Sequence, residues 1–148
     1  MDSMFERRCV LGTIDATTQD DVFFCLATKA VELGVAEDVQ AIVSEYKSRE
    51  KEASTGFTDG VAIPHAKSKY VVKPVVMFAR MDEPVEWNSI DGQGVRTVIS
   101  ILVPEDANTT HLHLLSSLSR KLVHKDFVEA LRTSSEDEVF ELISSALS

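Results

Sequence analysis

Cysteine is scarce in this chain, and long hydrophobic segments are absent. Only two of its 148 residues are cysteine, Cys9 and Cys25, which is too few for the disulfide framework of a small secreted domain. No apolar run approaches the length of about 18 residues that a membrane-spanning helix needs, and the first residues do not resemble a signal peptide. We therefore expect a cytoplasmic protein with reduced thiols, in which Cys25 packs as a small buried hydrophobe.

Positively charged residues are also fewer than negatively charged ones. Fifteen lysines and arginines stand against 24 aspartates and glutamates, so the formal net charge is −9 and the isoelectric point is near 4.8. An acidic surface of this kind repels nucleic acids and anionic membranes. We expect neither of them as a partner, whereas a protein with a basic surface remains compatible with the charge.

Low-complexity segments, internal repeats and linkers are missing too. The chain contains six glycines and four prolines, and 44% of its residues are hydrophobic. A chain of this length can bury roughly two-thirds of its unfolded surface without a disulfide or a structural metal. The sequence therefore predicts a single compact domain over residues 1–148.

Two helices are predicted in the first third of the chain. Thr18 is a suitable N-cap, apolar residues recur at helical spacing from Val22 to Leu33, and Gly34 provides a left-handed stop. A second helix is expected over residues 37–51, with its apolar positions on one face.

The middle of the chain has the composition of strands. Residues 74–81 and 95–103 are rich in β-branched side chains, and Pro84 and Pro104 are expected to close these two strands. Residues 91–94 have the composition of a turn before the second strand.

Three more helices are predicted after the strands, over residues 109–123, 126–131 and 135–147. Ser135 and Glu138 form the capping-box pattern that starts the last of them. The order of two helices, several strands and three helices predicts an α/β fold in which a small mixed β-sheet is sandwiched between helices.

His65 is the principal candidate nucleophile. It follows a short apolar run that Gly60 starts and Pro64 ends, and the fixed φ of proline sets the direction in which the imidazole leaves the chain. A lone histidine in an apolar run is most often a structural residue. His65 stands out because Thr55, Gly56, Gly60 and Pro64 all restrict the backbone near it.

His111 is the histidine best placed to meet His65. It opens a predicted helix and shares a face with Leu115 and Leu118, whereas His113 lies on the opposite face with Ser117 and is expected in solvent. The positive end of a helix dipole keeps a histidine neutral and favours a nearby anion. A role for His111 as a helix cap or a core-edge residue fits the spacing equally well.

Arg49 and Asp59 are weaker candidates. Arg49 lies near the end of the second predicted helix, shortly before a loop rich in glycine and threonine, and Asp59 lies in that loop, where aspartate is a common turn residue. A metal-dependent hydrolase that uses His65, His111 and Asp59 is one alternative. The pair His111 and His113 is a poor metal site, because residues two apart on a helix point to different sides.

Several of these residues together resemble a known family. The similarity rests on Arg49-Glu50, Thr55-Gly56, Gly60-Val61-Ala62-Ile63-Pro64-His65, Pro104, His111-Leu112, Leu115-Ser116, Leu118 and Phe127. With these residues in this order, the chain resembles the enzyme IIA domain of the fructose/mannitol class of the bacterial sugar phosphotransferase system. The resemblance extends over nearly the whole chain, and it implies a mixed sheet flanked by helices.

The resemblance also implies a mechanism and partners. By this similarity His65 accepts a phosphoryl group from phosphorylated HPr and passes it to a cysteine of enzyme IIB, which acts with the membrane component IIC in sugar uptake. His111 and Arg49 would support the phosphoryl group. Independently of the resemblance, we expect the backbone amides of the loop that contains Thr55, Gly56, Asp59 and Gly60 to help bind it. No metal or cofactor is required.

The subclass is less strongly indicated. Residues 87–92 and the pair Leu118-Ser119 are most similar to fructose-type members of the class. A nitrogen-related regulatory protein of the same fold, which carries phosphate on the same histidine but transports no sugar, is the second alternative.

Overall fold

The structure, a computed structural model, describes residues 4–147, so the outermost residues of the predicted domain, 1–3 and 148, lie outside the described part. After a short 3₁₀ helix at Arg7–Cys9, five strands and five helices follow along the described chain. They are β1 (Val10–Thr13), α1 (Gln19–Glu32), α2 (Val39–Glu52), β2 (Val61–Ala62), β3 (His65–Ser68), β4 (Val75–Val85), β5 (Val95–Pro104), α3 (Asn108–Leu122), α4 (Lys125–Thr133) and α5 (Glu136–Leu147).

The five strands form one mixed sheet. Its order is β1, β4, β5 and β2, and β3 also pairs with β5, beyond the end of β2. The central pair, β4 and β5, is antiparallel, with Phe78 opposite Ile99, whereas β1 runs parallel to β4, and both β2 and β3 run parallel to β5. The predicted mixed sheet is confirmed.

Helices cover the sheet in two groups. Helices α1 and α2 pack against each other and contact β4 and β3, whereas α3, α4 and α5 pack together and contact β5 and β1. The central strand β5 is accordingly apolar and buried at most positions from Val95 to Val103, as expected of a strand covered on both sides. None of the helices within residues 4–147 has the length and apolar character needed to span a membrane.

Helix ends follow the local sequence. Thr18 caps α1 by accepting a hydrogen bond from the amide of Asp21 (3.1 Å), as predicted. Helix α2 begins at Val39, two residues later than expected, because Asp38 caps it by accepting from the amide of Ala41 (3.1 Å).

The capping box at the start of α5 is also present. The hydroxyl of Ser135 accepts from the amide of Glu138 (3.2 Å), and the Glu138 carboxylate accepts from the amide of Ser135 (3.0 Å). The sequence therefore located the start of this helix correctly.

The strands depart from the sequence prediction in two respects. Strand β4 does not stop before Pro84 but continues through it to Val85, because the pairing with β5 is irregular between Arg80 and Val85 and a proline is tolerated there. Gly94 makes this possible, since a Cβ at that position would lie 2.6 Å from the Cβ of Pro84. Strands β1 and β3 were not predicted, because each is only four residues long.

Two expectations about burial were wrong. Ser117 is buried, because the inward face of α3 is formed by Leu114, Ser117, Leu118 and Leu122. Cys25 is half-buried on α1 and not part of the core. His113 is exposed, as expected.

Tyr46 fixes α2 to the sheet. Its ring is 1% exposed and stacks on Phe23 of α1 at a centroid distance of 4.9 Å. Its hydroxyl lies 2.6 Å from the hydroxyl of Ser100 on β5, and both groups are buried. Because Arg49 follows three residues later on the same helix, this anchor also determines where the arginine can reach.

Removing either hydroxyl should destabilise the protein. Tyr46→Phe and Ser100→Ala should each lower the free energy of unfolding by about 1–3 kcal/mol, because each leaves a buried partner unsatisfied. The double variant should cost less than the sum of the two single variants, since no orphaned hydroxyl remains. Urea denaturation measures all three values.

Ser48→Ala provides the control for the double-mutant cycle formed by these variants. Ser48 is exposed on the same helix, so its replacement should change the free energy of unfolding by no more than about 0.5 kcal/mol. Strictly additive losses for Tyr46→Phe and Ser100→Ala would contradict the assigned hydrogen bond.

Candidate functional site

His65 lies where two short strands meet. Ile63 and Pro64 separate β2 from β3, which both pair with β5, and the amide of Ile101 donates to the carbonyl of Pro64 (3.1 Å) at this break. His65 is the first residue of β3, opposite Ile101, and its side chain is only 8% exposed. The proline thus sets the imidazole at the surface edge of a buried sheet.

The hydrogen bonds of His65 fix its tautomer. Nδ1 lies 2.7 Å from the carbonyl oxygen of Ile63, which can only accept, so Nδ1 carries the proton. Nε2 accepts a hydrogen bond from Nε of Arg49 at 3.1 Å. The lone pair of the neutral ring is therefore on Nε2, the nitrogen from which this ring could act as a nucleophile.

Arg49 bridges the end of α2 and this ring. One terminal nitrogen donates to the carbonyl of Ala53 (2.8 Å), in addition to the bond from Nε to His65. An electrophile that reaches Nε2 must displace the Arg49 contact. The guanidinium then lies beside the new group, where it can donate to an anion.

His111 completes the group from the opposite side. It lies in the first turn of α3, and its ring centroid is 5.1 Å from that of His65, with the planes inclined by 53°. Its Nε2 is buried and has no hydrogen-bond partner in the described structure. Because an unsatisfied buried polar atom is unfavourable, this nitrogen is suited to meet an atom of a ligand.

Both histidines are held in the neutral state. Burial, and to a smaller extent the charge of Arg49, lowers the pKa of His65, although the hydrogen bond to Ile63 opposes this. Burial, followed by the charges of His65, Lys67 and Arg49, lowers the pKa of His111 to about 4. At neutral pH the site therefore holds two uncharged imidazoles side by side.

The loop before His65 is a narrow hairpin. The carbonyl of Thr55 accepts from the amide of Ile63 (3.0 Å), Gly56 pairs with Ala62, and the amide of Phe57 donates to Val61 (2.7 Å). Thr55 and Gly56 therefore lie at the base of the hairpin, on the side of His65.

Asp59 and Gly60 form the distant tip of the same hairpin. The carbonyl of Gly60 accepts from the amide of Arg96 (2.8 Å), whereas His65 pairs with Ile101, five residues further along β5. Five residues of strand correspond to about 16 Å. The structure thus brings His65, His111 and Arg49 together but does not bring Asp59 or Gly60 to them.

The position of Asp59 is relevant to the alternative of a metal-dependent hydrolase. Within residues 4–147 there is no cluster of three or more histidine, cysteine or acidic side chains arranged to hold a metal ion. His65, His111 and Asp59 do not form one donor set, because Asp59 is at the far end of the hairpin.

Sequence reasoning missed Lys67, which shares a strand face with His65. Its Nζ donates to the side-chain oxygen of Asn108 (2.6 Å) at the start of α3, and its charge contributes to the lowered pKa of His111. The alternation of side chains along a strand would have indicated this position. It was missed because β3 was not predicted.

Comparisons with known proteins identify the family. The family model described as "Phosphoenolpyruvate-dependent sugar phosphotransferase system, EIIA 2" matches residues 3–146. A fructose-like EIIA component of the phosphotransferase system from Escherichia coli K12 is 37% identical over 140 residues, which cover 95% of each chain.

Two solved structures are similar over almost their full length. The nitrogen regulatory protein IIA-Ntr from Neisseria meningitidis has a TM-score of 0.88 and 30% identity, covering 95% of this chain and 97% of the other. Enzyme IIAMTL from Escherichia coli, in a complex with phosphorylated enzyme IIBMTL, has a TM-score of 0.79 and 26% identity, with coverages of 95% and 99%.

The family model and the relatives agree with the fold. The family model spans nearly the whole chain, and the fructose-like EIIA component matches this chain over 95% of the length of both proteins. The chain therefore belongs to the type 2 enzyme IIA family of the phosphoenolpyruvate-dependent sugar phosphotransferase system, and it is a phosphocarrier protein of the kind that works through a phosphohistidine.

Proposed function

We propose that His65 is the residue that carries the phosphoryl group, and that the group is bound to Nε2. The observation that supports this most directly is the hydrogen bond from Nδ1 to the carbonyl of Ile63, which leaves the lone pair on Nε2. Phosphorylated HPr is the proposed donor, and a cysteine of an enzyme IIB is the proposed acceptor.

The transfer step follows from the tautomer. The Nε2 lone pair attacks the phosphorus of the donor phosphohistidine in line, and the bond from phosphorus to the donor nitrogen breaks with its electron pair left on that nitrogen. The Nδ1 proton stays on His65, hydrogen-bonded to Ile63. The phosphorylated ring then carries a positive charge, which makes it a good leaving group when a thiolate attacks.

The surroundings stabilise the charge on the transferred group. Arg49 and Lys67 supply positive charge, His111 offers an unpartnered Nε2, and the amino end of α3 contributes a favourable dipole. Phosphoryl transfer depends mainly on positioning and on neutralising the equatorial oxygens. The residues present can meet both requirements without a metal ion.

The cellular role is proposed from the relatives. The fructose-like relative favours sugar uptake of the fructose type, and the complex of the mannitol protein with phosphorylated enzyme IIB favours an enzyme IIB as partner. The membrane component IIC would participate indirectly, and the protein would act in the cytoplasm.

A regulatory role is the second candidate, because the structure also resembles the Neisseria nitrogen regulatory protein with a TM-score of 0.88. Incubation of the phosphorylated protein with a fructose-type enzyme IIB distinguishes the two functions. Loss of the phosphoryl group to the enzyme IIB cysteine supports transport, and retention of it supports regulation.

Replacing His65 should abolish phosphoryl acceptance. With phosphoenolpyruvate, enzyme I and HPr, the wild-type protein should gain one acid-labile phosphoryl group, measured by intact mass spectrometry. His65→Gln should gain none, because the amide has no nucleophilic lone pair of comparable reactivity. An acid-labile phosphoryl group retained in this variant would contradict the mechanism.

Replacing His111 should slow the transfer without unfolding the protein. His111→Ala should lower the rate of phosphoryl acceptance by about 10² to 10³, as expected when one donor to a developing anion is removed. Rapid-quench kinetics measures the rate. His113→Ala, an exposed change on the same helix, should leave it unchanged, and equal rates in all three proteins would limit His111 to a structural role.

The titration of His65 should depend on Arg49. In the wild type its midpoint should lie below the ordinary value of about 6.5, because burial and the Arg49 charge lower the pKa. Arg49→Gln removes that charge, so the pKa should rise and the neutral ring should be lost at a higher pH. NMR titration without a phosphoryl donor measures the midpoint. An unchanged or lower midpoint in Arg49→Gln would contradict this assignment.

A further inference from the structure

Glu50 makes two hydrogen bonds to one residue of the hairpin. Its carboxylate is half-buried at the end of α2, where Oε2 accepts from the amide of Thr55 (2.8 Å) and Oε1 accepts from the hydroxyl of Thr55 (2.6 Å). Hydrogen bonds to a carboxylate are stronger than neutral ones. The pair therefore holds both the backbone and the side chain of Thr55.

Trp87 fixes the same threonine from the other side. Its ring is 2% exposed and packs edge-on against Phe23 at 5.6 Å, and its Nε1 donates to the hydroxyl of Thr55 (3.0 Å). The Thr55 hydroxyl thus donates to Glu50 and accepts from Trp87, so its orientation is determined. Thr55 itself is 8% exposed.

Thr55 is connected to the tautomer of His65 through one residue. The carbonyl of Thr55 accepts from the amide of Ile63 (3.0 Å), and the carbonyl of Ile63 accepts from Nδ1 of His65 (2.7 Å). If Thr55 shifts, Ile63 shifts with it, and the acceptor that keeps the proton on Nδ1 is displaced.

We propose that Glu50, supported by Trp87, is a positioning residue for phosphoryl transfer at His65. It holds Thr55 so that Ile63 keeps His65 in the Nδ1-protonated form with its lone pair on Nε2. This inference rests on the proposed function of His65. It gives Thr55 a role through its backbone and hydroxyl contacts, in place of the direct contact with the phosphoryl group predicted from the sequence.

Glu50→Gln and Glu52→Gln form a matched pair of variants. The negative charges of both carboxylates raise the pKa of His65. The two hydrogen bonds that Thr55 donates, however, go to Glu50. Glutamine retains one acceptor oxygen, which can serve the amide of Thr55, but its NH₂ group cannot accept from the Thr55 hydroxyl, so Glu50→Gln loses the bond that this hydroxyl donates.

The first readout is the rate of a single phosphoryl transfer from excess phosphorylated HPr. Glu50→Gln should lower this rate about ten-fold, and Glu52→Gln should leave it within about two-fold of the wild type. Trp87→Phe keeps an aromatic ring but removes the indole N–H donor, and this variant should also lower the transfer rate. An equal decrease in both glutamine variants would overturn the proposal in favour of a charge effect.

The second readout requires no phosphoryl donor. NMR of the imidazole nitrogens should show Nδ1–H in the wild type and in Glu52→Gln, and a larger fraction of Nε2–H in Glu50→Gln. A folded Glu50→Gln protein with the wild-type tautomer would overturn the positioning role. If the wild type accepted no phosphoryl group at all, the proposed function would fail while this readout still decided the role of Glu50.

Discussion

The hydrogen bond from Nδ1 of His65 to the carbonyl of Ile63 determines what this site can do. An imidazole in water exchanges its proton between two nitrogens, and either one can react. At a distance of 2.7 Å the Ile63 carbonyl removes this choice, because it can accept but never donate. Pro64, the break between β2 and β3 and the hairpin before them are the local structures that place this carbonyl. Backbone geometry thus selects the nitrogen of His65 that bears the lone pair.

Electrostatics supply the second constraint. The chain carries a net charge of −9, yet Arg49 and Lys67 lie beside two histidines whose pKa values are lowered mainly by burial. In the proposed transfer, an incoming phosphoryl group therefore meets neutral rings and positive side chains. The acidic remainder of the surface suits a basic donor protein, because complementary charge accelerates encounter. Local and overall charge thus have different roles.

Much of the fold was predictable because its signals are local. The cap of α1 at Thr18 and the box at Ser135 depend on adjacent residues, and the long apolar run of β5 is typical of a covered strand. The four-residue strands β1 and β3 were not predictable, because their stability comes from pairing with distant segments. The course of β4 through Pro84 depends on Gly94, a contact that spacing alone does not indicate.

For the site, the sequence identified the candidate residues that lie together better than the residues that support them. His65, His111 and Arg49 were candidates from motif and periodicity, and the structure brings all three together. Asp59 was included because it is close in sequence, but the hairpin carries it away from His65. The contacts of Lys67 with Asn108 and of Trp87 with Thr55 join segments far apart in the chain, so only the fold reveals them.

The position of the phosphoryl group on the ring shows whether the hydrogen bond to Ile63 selects the nitrogen that reacts. NMR of the nitrogens in the phosphorylated protein distinguishes the two isomers of phosphohistidine. The account predicts a bond from phosphorus to Nε2 of His65, with a proton retained on Nδ1. Phosphorylation at Nδ1, or on another residue, would show that the hydrogen bond to Ile63 does not select the nucleophile.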